Sequence, residues 1–129
     1  VRGGAATFAV IWKSVTSPVN NDDATDRAAE PVGLAQPGGS VLRIVDMPPG
    51  ARSPMHRTDS LDYGIVLQGE VDLELDAGKK TRVKTGEIVV QRGTIHNWVN
   101  NGTQPCIIAF SLIGAHPVTA GNKKLDAVG

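Results

Sequence analysis

Two glycine-bounded segments decide the fold: residues 50–69 read GARSPMHRTDSLDYGIVLQG, and residues 86–100 read GEIVVQRGTIHNWVN. Each segment contains a single histidine, His56 in the first and His96 in the second. Each also contains a short run rich in Val, Ile or Leu, and such runs between glycines are typical of β-strands. The sixteen residues between the segments are enough for one hairpin. We therefore predict that the two histidines belong to separate strand-forming segments that one hairpin connects.

The rest of the chain has the same strand-and-turn rhythm. Its 15 glycines and 8 prolines separate short apolar runs, which favours many strands and few helices. Val71, Leu73 and Leu75 alternate with acidic residues, the period of a strand with one buried face. Residues 18–39 are polar and predict a long loop with one short helical turn at 24–29. The predicted strands are residues 7–12, 41–47, 62–67, 70–75, 81–84, 87–91, 95–99 and 105–113.

Eight closely spaced strands favour an all-β fold, either a closed barrel or a two-sheet jelly roll. The two quoted segments also resemble the two sequence motifs of the cupin superfamily. The resemblance implies a single cupin domain over residues 1–129, folded as a double-stranded β-helix or jelly-roll barrel. Its core barrel is about residues 41–113, with an N-terminal strand and loop at 1–40 and a C-terminal extension at 114–129. Gly50, His56, Asp62 and Gly69 fall at the positions of the first motif, and Gly93, His96 and Asn100 at the end of the second. One residue is missing between Gly86 and Gln91.

Three positions depart from the family pattern. Thr58 stands where the family has a second histidine, Asp62 where it has glutamate, and Gln91 where it has proline. The three-His-one-Glu metal site that the resemblance implies is thereby reduced to His56, His96 and Asp62.

A metal site is the first hypothesis for these residues. Every second side chain of a barrel strand points inward, so ligands from several strands can meet at one point. Imidazole and carboxylate suit Fe, Mn, Ni, Cu or Zn, and open coordination positions let a substrate oxygen be polarised. We predict a divalent transition metal on His56 and His96, with Asp62 as a direct or water-bridged ligand and all three residues catalytic. The resemblance implies a decarboxylase or dioxygenase for a small carboxylic, aromatic or polyketide-like compound.

Two alternatives stay open. Some cupin relatives, such as sugar-nucleotide epimerases, work without metal through a His–Asp acid–base pair, and His56 with Asp62 has the right residue types. The other alternative is a non-enzymatic module that binds a small molecule.

Further side chains are candidates for contacting a substrate. Arg43 interrupts an apolar run; it either faces inward and binds a substrate carboxylate or faces outward on an exposed sheet. Trp98 lies two residues after His96 and so shares its face of the strand. The full set of predicted substrate-binding residues is Arg43, Met55, Thr58, Tyr63, Gln91, Trp98 and Phe110.

Composition excludes several partner classes. Thirteen basic and thirteen acidic side chains cancel, which argues against nucleic acid as a partner. No apolar run approaches the ~20 residues of a membrane span. Cys106 is the only cysteine, so no internal disulfide forms, and we expect a buried thiol and a cytoplasmic protein. Resemblance to small cupins implies a homodimer, with residues 1–12 and the C-terminal tail as segments for exchange.

Overall fold

The computed structural model describes residues 5–128, and its architecture is built from strands. No α-helix occurs in that range, and none of its elements is a helix long and apolar enough to cross a membrane. A single 3₁₀ turn, Asp76–Gly78, joins two strands. The strands are β1 (Thr7–Ser14), β2 (Ser40–Met47), β3 (Ser60–Gln68), β4 (Glu70–Leu75), β5 (Lys80–Lys84), β6 (Ile88–Arg92), β7 (His96–Val99), β8 (Cys106–Gly114), β9 (Thr119–Ala120) and β10 (Lys123–Lys124).

Two antiparallel sheets enclose the core. The larger sheet has the order β1-β2-β8-β3-β6 and the smaller one β5-β4-β7. The chain segment before β3 lies along β7 through isolated bridges at Arg52↔Val99 and His56↔His96. This is the jelly-roll arrangement of a double-stranded β-helix, and the predicted all-β fold is confirmed. The core between the sheets contains Val45, Met47, Ala51, Val66, Val71, Leu73, Val83, Trp98, Cys106 and Ile108.

Period-two alternation decides which side chains reach the interior. In β2 the burial alternates residue by residue, and Val41, Arg43, Val45 and Met47 are the buried positions. Arg43 therefore faces inward at 8% exposure, and the alternative of an outward-facing Arg43 is wrong. Cys106 is fully buried, as expected.

The predicted helical turn at 24–29 is absent, because short polar side chains hold the backbone in another conformation. The Asp23 carboxylate accepts a hydrogen bond from the Thr25 backbone N–H, and Asp26 accepts one from the backbone N–H of Ala28. Such contacts to the backbone two residues on stabilise turns at the expense of helix. Residues 15–39 thus form a loop throughout.

The C-terminal extension packs on its own barrel. Its β9–β10 hairpin was not predicted, and Val128 forms a backbone bridge to Arg57. Val118 lies against Gly93, so closely that a Cβ on Gly93 would come within 3.0 Å of it. Residues 1–4 and 129, which belong to the predicted terminal segments, lie outside the described residues.

Candidate functional site

The two predicted histidines are direct neighbours. His56 and His96 form an antiparallel bridge whose backbone N···O distances are 2.8 and 2.9 Å. Directly paired residues of antiparallel strands project to the same face, and the two ring centroids are 4.4 Å apart with a 50° tilt. The prediction that two imidazoles meet inside the barrel agrees with this geometry.

A backbone carbonyl fixes the tautomer of each ring. His56 Nδ1 lies 2.8 Å from the Pro54 carbonyl oxygen, and His96 Nδ1 lies 2.9 Å from the Thr94 carbonyl oxygen. A carbonyl only accepts hydrogen bonds, so both Nδ1 atoms carry the proton in these contacts. In a neutral ring Nε2 then keeps its lone pair, the form in which imidazole binds a metal or accepts a proton.

Burial keeps His96 uncharged. His96 is 3% exposed, and this burial is the main reason why its pKa is lowered to about 4. The hydrogen bond to Thr94 raises the pKa, and the charge of His56 lowers it further. His96 stacks edge-on against Trp98, which in turn meets Phe110 edge-on at 5.3 Å between centroids. At neutral pH His96 therefore presents a neutral, lone-pair-bearing nitrogen beside an aromatic wall.

Asp62 ends a short polar chain on the opposite sheet. Ser60 Oγ donates to the Asp62 carboxylate, and the hydroxyls of Thr58 and Ser60 are hydrogen-bonded at 2.7 Å. Burial raises the pKa of Asp62, while the Ser60 hydrogen bond and the charges of His56 and Arg43 act in the other direction. Asp62 is thus a carboxyl group poised to hold a proton more firmly than an exposed aspartate.

His56, His96 and Asp62 line one cavity of about 150 Å³ between the sheets, which we call the lumen. Its polar lining consists of Arg43, Ser53, His56, Asp62 and His96. The remainder is apolar and includes Phe8, Leu34, Val45, Met47, Trp98 and Phe110.

The structure brings some of the predicted substrate-binding residues to the lumen and leaves others away from it. Arg43, Trp98 and Phe110 line it. Met55 and Tyr63 are each 38% exposed and lie outside its lining. Tyr63 points outward because side chains alternate along β3 and its neighbour Asp62 points inward. Thr58 and Gln91 are buried but do not line it either. The Thr58 hydroxyl bonds to Ser60, and the Gln91 side chain accepts a hydrogen bond from Thr94.

Sequence reasoning missed several lining residues. Val45 and Met47 share the parity of Arg43 on β2, so alternation was a signal for both. Phe8 and Leu34 had no local signal, because β1 and the 15–39 loop reach the lumen only through the tertiary fold.

The donor atoms fit two ligands of a transition metal. Both imidazoles offer a free Nε2 in one cavity, and neutral imidazole suits Fe, Mn, Ni, Cu and Zn alike. Within residues 5–128, however, no group of three or more His, Cys, Asp or Glu side chains converges closely enough to hold an ion. The geometry therefore fits a two-histidine site and not the larger cage of the family. Asp62 does not join the two histidines in such a group.

A barrel with a histidine-lined lumen defines a class of small-molecule-pocket proteins, and sequence comparison gives the family. The model described as "Cupin domain" matches residues 43–112. The chain belongs to the cupin family.

Its relatives include fungal proteins that are longer than this chain. Phomopsin biosynthesis cluster protein C′ of Diaporthe leptostromiformis is 43% identical over 135 residues, which cover 99% of this chain and 71% of that protein. The cupin-domain-containing oxidoreductase fogC of Aspergillus ruber is 40% identical over 124 residues, covering 91% and 61%. Among solved structures, a protein with a double-stranded β-helix domain from Klebsiella pneumoniae aligns with a TM-score of 0.64 at 19% identity, over 87% of this chain and 79% of that one.

Proposed function

We propose that this chain is an enzyme that transforms a small, partly apolar, oxygen-bearing molecule inside the lumen. The observation that carries the proposal is the pair of Nδ1–H···O=C contacts, which leaves two imidazole Nε2 atoms free side by side. The names of the relatives, an oxidoreductase and a biosynthesis cluster protein, support a tailoring role in small-molecule synthesis. Within that role we propose a decarboxylase or dioxygenase type of reaction on a carboxylic, aromatic or polyketide-like compound.

In this proposal His56 and His96 hold a divalent transition metal through Nε2. When bound, the metal supplies Lewis-acid polarisation of a substrate oxygen. The carbonyls of Pro54 and Thr94 orient the rings, because they fix the tautomer that a ligand histidine needs. Asp62, with its raised pKa, holds or releases a proton at its carboxyl oxygen. The aromatic wall of Trp98 and Phe110 excludes water from the reacting atoms.

A metal-free acid–base reaction is the second candidate, and one observation favours it. No third donor joins the two histidines among residues 5–128, whereas Asp62 and His56 interact through their charges in the same lumen. In this case His56 and Asp62 would exchange protons with the substrate, as in an isomerase or epimerase.

Metal analysis separates the candidates. We expect purified protein, after loading with Co²⁺ and desalting, to retain the ion and show a visible absorption band. We expect His56→Ala/His96→Ala to retain none. His116→Ala, which removes an exposed histidine outside the lumen, is the matched control and should behave like the wild type. Equal and negligible metal in the wild type and the double variant would rule out the metal form.

Enzyme and binding module differ in turnover. With a candidate substrate that stabilises the protein, an enzyme yields product, and His96→Ala loses that product while keeping the fold by circular dichroism. A binding module shows the same stabilisation without product.

We also propose a homodimer formed by the outer face of the larger sheet. Register places Trp12, Leu42, Tyr63 and Val90 in one row across that face, with only Ser111 between them. The next row is Ala9, Ile44, Ala109, Ile65 and Ile88. Nothing charged interrupts these two rows, which is unusual for a sheet face in water.

A further inference from the structure

Arg43 is a buried cation in the lumen wall. It lies opposite Phe110 in the β2–β8 register and is 8% exposed. Its Nη2 donates to the carbonyl oxygens of Gly33 and Leu34, both at 2.8 Å. Its Nε is buried and has no hydrogen-bond partner in the structure. A guanidinium has five N–H donors, and these contacts satisfy only the Nη2 end.

The charge of Arg43 is poorly compensated by the protein. No ion pair to Arg43 occurs among residues 5–128, although seven others are present there. Burial lowers the pKa of Arg43. The negative charge of Asp62 raises this pKa, although the two side chains do not form an ion pair. A buried charge without a partner is costly, and a site that retains one is suited to an incoming anion.

The rest of the lumen limits the size and shape of that anion. A cavity of about 150 Å³ is the size that accommodates one benzene ring. Trp98 and Phe110 offer ring faces and edges for stacking. A planar ring or an unsaturated chain therefore fits the apolar part, with its acidic group at Arg43.

We propose that Arg43 is the anion-binding residue of the lumen and selects a small aromatic or unsaturated monocarboxylate. The carboxylate accepts hydrogen bonds from the guanidinium N–H groups that no protein group accepts, a charge-assisted contact. Because Nη2 of the same side chain holds the carbonyls of Gly33 and Leu34, Arg43 also fixes Leu34 at the lumen. That this anion is the substrate rests on the proposed function; that it binds at Arg43 does not.

Matched neutral and anionic probes test the proposal on the wild-type protein. The probes are benzoate, benzamide and benzyl alcohol, which share a ring and differ in charge. Binding is measured by ring-proton NMR titration of chelator-treated, metal-free protein. We expect benzoate to bind about 10- to 100-fold more tightly than either neutral probe, the range for a charged hydrogen bond. Equal affinities, or no benzoate binding at millimolar concentration, would overturn the proposal without any variant being made.

Variants then locate the contact. Arg43→Met keeps the side-chain length and removes the charge; we expect benzoate to fall to the affinity of benzamide while benzamide itself changes little. Arg52→Gln removes an exposed guanidinium outside the lumen and should leave all three affinities unchanged. Unchanged benzoate binding in Arg43→Met would contradict the proposal. If that variant does not fold, the wild-type comparison and Arg43→Lys, which keeps the charge, still decide it.

The His56→Ala/His96→Ala variant separates this inference from the proposed function. We expect it to keep the preference for benzoate even though its metal is lost. If the preference disappears there and survives in Arg43→Met, the histidines hold the anion and the assignment to Arg43 is wrong, while the metal proposal stands. If benzoate binds at Arg43 and no protein retains metal, the anion site stands and the metal proposal does not.

Discussion

The lumen histidines each take their orientation from a carbonyl two residues earlier in the chain. The Pro54 carbonyl serves His56, and the Thr94 carbonyl serves His96. The sequence predicted both histidines because they lie at motif positions bounded by turns. Gly69 and Gly93 indeed adopt positive φ, at 81° and 75°. The tautomers were not predictable, since they depend on where two backbone carbonyls point after folding.

Because Gly64 has no side chain, the rings of Phe110 and Trp98 can pack next to its backbone. A Cβ at this position would lie 3.0 Å from Phe110 Cε1 and 3.6 Å from Trp98 Cη2. We predict that Gly64→Ala pushes the Phe110 ring into the lumen, weakens binding of a ring-sized ligand such as benzoate several-fold, and costs about 1 kcal/mol of folding free energy. NMR titration and urea unfolding measure the two effects.

Val19→Ala, which shortens an exposed side chain in the loop outside the lumen, is the control for Gly64→Ala. It should change neither quantity. If Gly64→Ala binds benzoate as tightly as the wild type, the ring of Phe110 does not limit the cavity.

Site residues divide into those with a local signal and those without. Because side chains alternate along a strand, Trp98 points to the lumen on the same face as His96. For the same reason Arg43 faces inward together with Val45. Tyr63 was predicted at the lumen from its residue type, but its parity on β3 is opposite to that of Asp62, so it faces outward. Strand parity was thus a better guide than aromatic character.

At the scale of elements, strands were predictable and their partners were not. All eight predicted strands exist, with ends shifted by up to two residues. The pairing of β2 with β8 joins residues about sixty positions apart, such as Met47 and Cys106, and no local pattern specifies it. The loop at 15–39 resembled a helix start in composition, but its aspartates bond to nearby backbone N–H groups instead.

Asp72 connects β4 to two neighbouring elements. It accepts hydrogen bonds from Arg82 on β5 and from the Asn101 side chain in the loop after β7. The hydrogen bond from Arg82 has the largest effect and holds the pKa of Asp72 below 3.8. Burial acts in the opposite direction, and the hydrogen bond from Asn101 lowers this pKa further. A carboxylate with a lowered pKa stabilises the fold at pH above its unfolded value, and this contribution is lost as the pH falls through the folded value.

We therefore predict that Asp72→Asn lowers the free energy of unfolding at pH 7 by about 0.5–1 kcal/mol, since Arg82 is half exposed. The difference from wild type should shrink as the pH falls through and below 3.8, because Asp72 is then protonated. The measurement is urea unfolding of both proteins at pH 7 and at a pH below 3.8. Glu70→Gln is the control: Glu70 faces the same arginine at 3.8 Å but is 44% exposed, and it should have little effect. An equal loss for Asp72→Asn at both pH values would show that the charge is not responsible.

At the scale of the whole molecule, the two faces of the larger sheet differ in use. Its inner face closes the lumen with Arg43, Phe110 and Asp62. Its outer face has two adjacent rows without a charged residue, although an antiparallel sheet normally places polar residues on the side that faces water. The face is not needed for closing the core, so its composition points to a contact outside the chain.

A second copy of the chain is the occupant we propose, and the exposed area supports it. Trp12 is 47% exposed, Tyr63 38%, Ile88 63% and Val90 56%. With Leu42, Leu67 and Ile113 these side chains expose on the order of 600 Å², at the top of the range for a monomer and close to the ~800 Å² per partner of a stable interface. Because one face pairs with itself across a two-fold axis, a single substitution is present twice in the dimer.

We predict that the wild-type chain runs at twice its 13.5 kDa mass in light scattering coupled to size exclusion, and that Tyr63→Lys/Val90→Lys runs at 13.5 kDa. Both lysines replace exposed residues, so the fold should persist, whereas four ammonium groups buried in the dimer contact would be too costly to desolvate. Val19→Lys, at a 55% exposed position in the loop, is the control and should remain dimeric. A monomeric wild type at micromolar concentration would mean that this face does not bind a second copy. A double variant that stays dimeric would place the interface elsewhere.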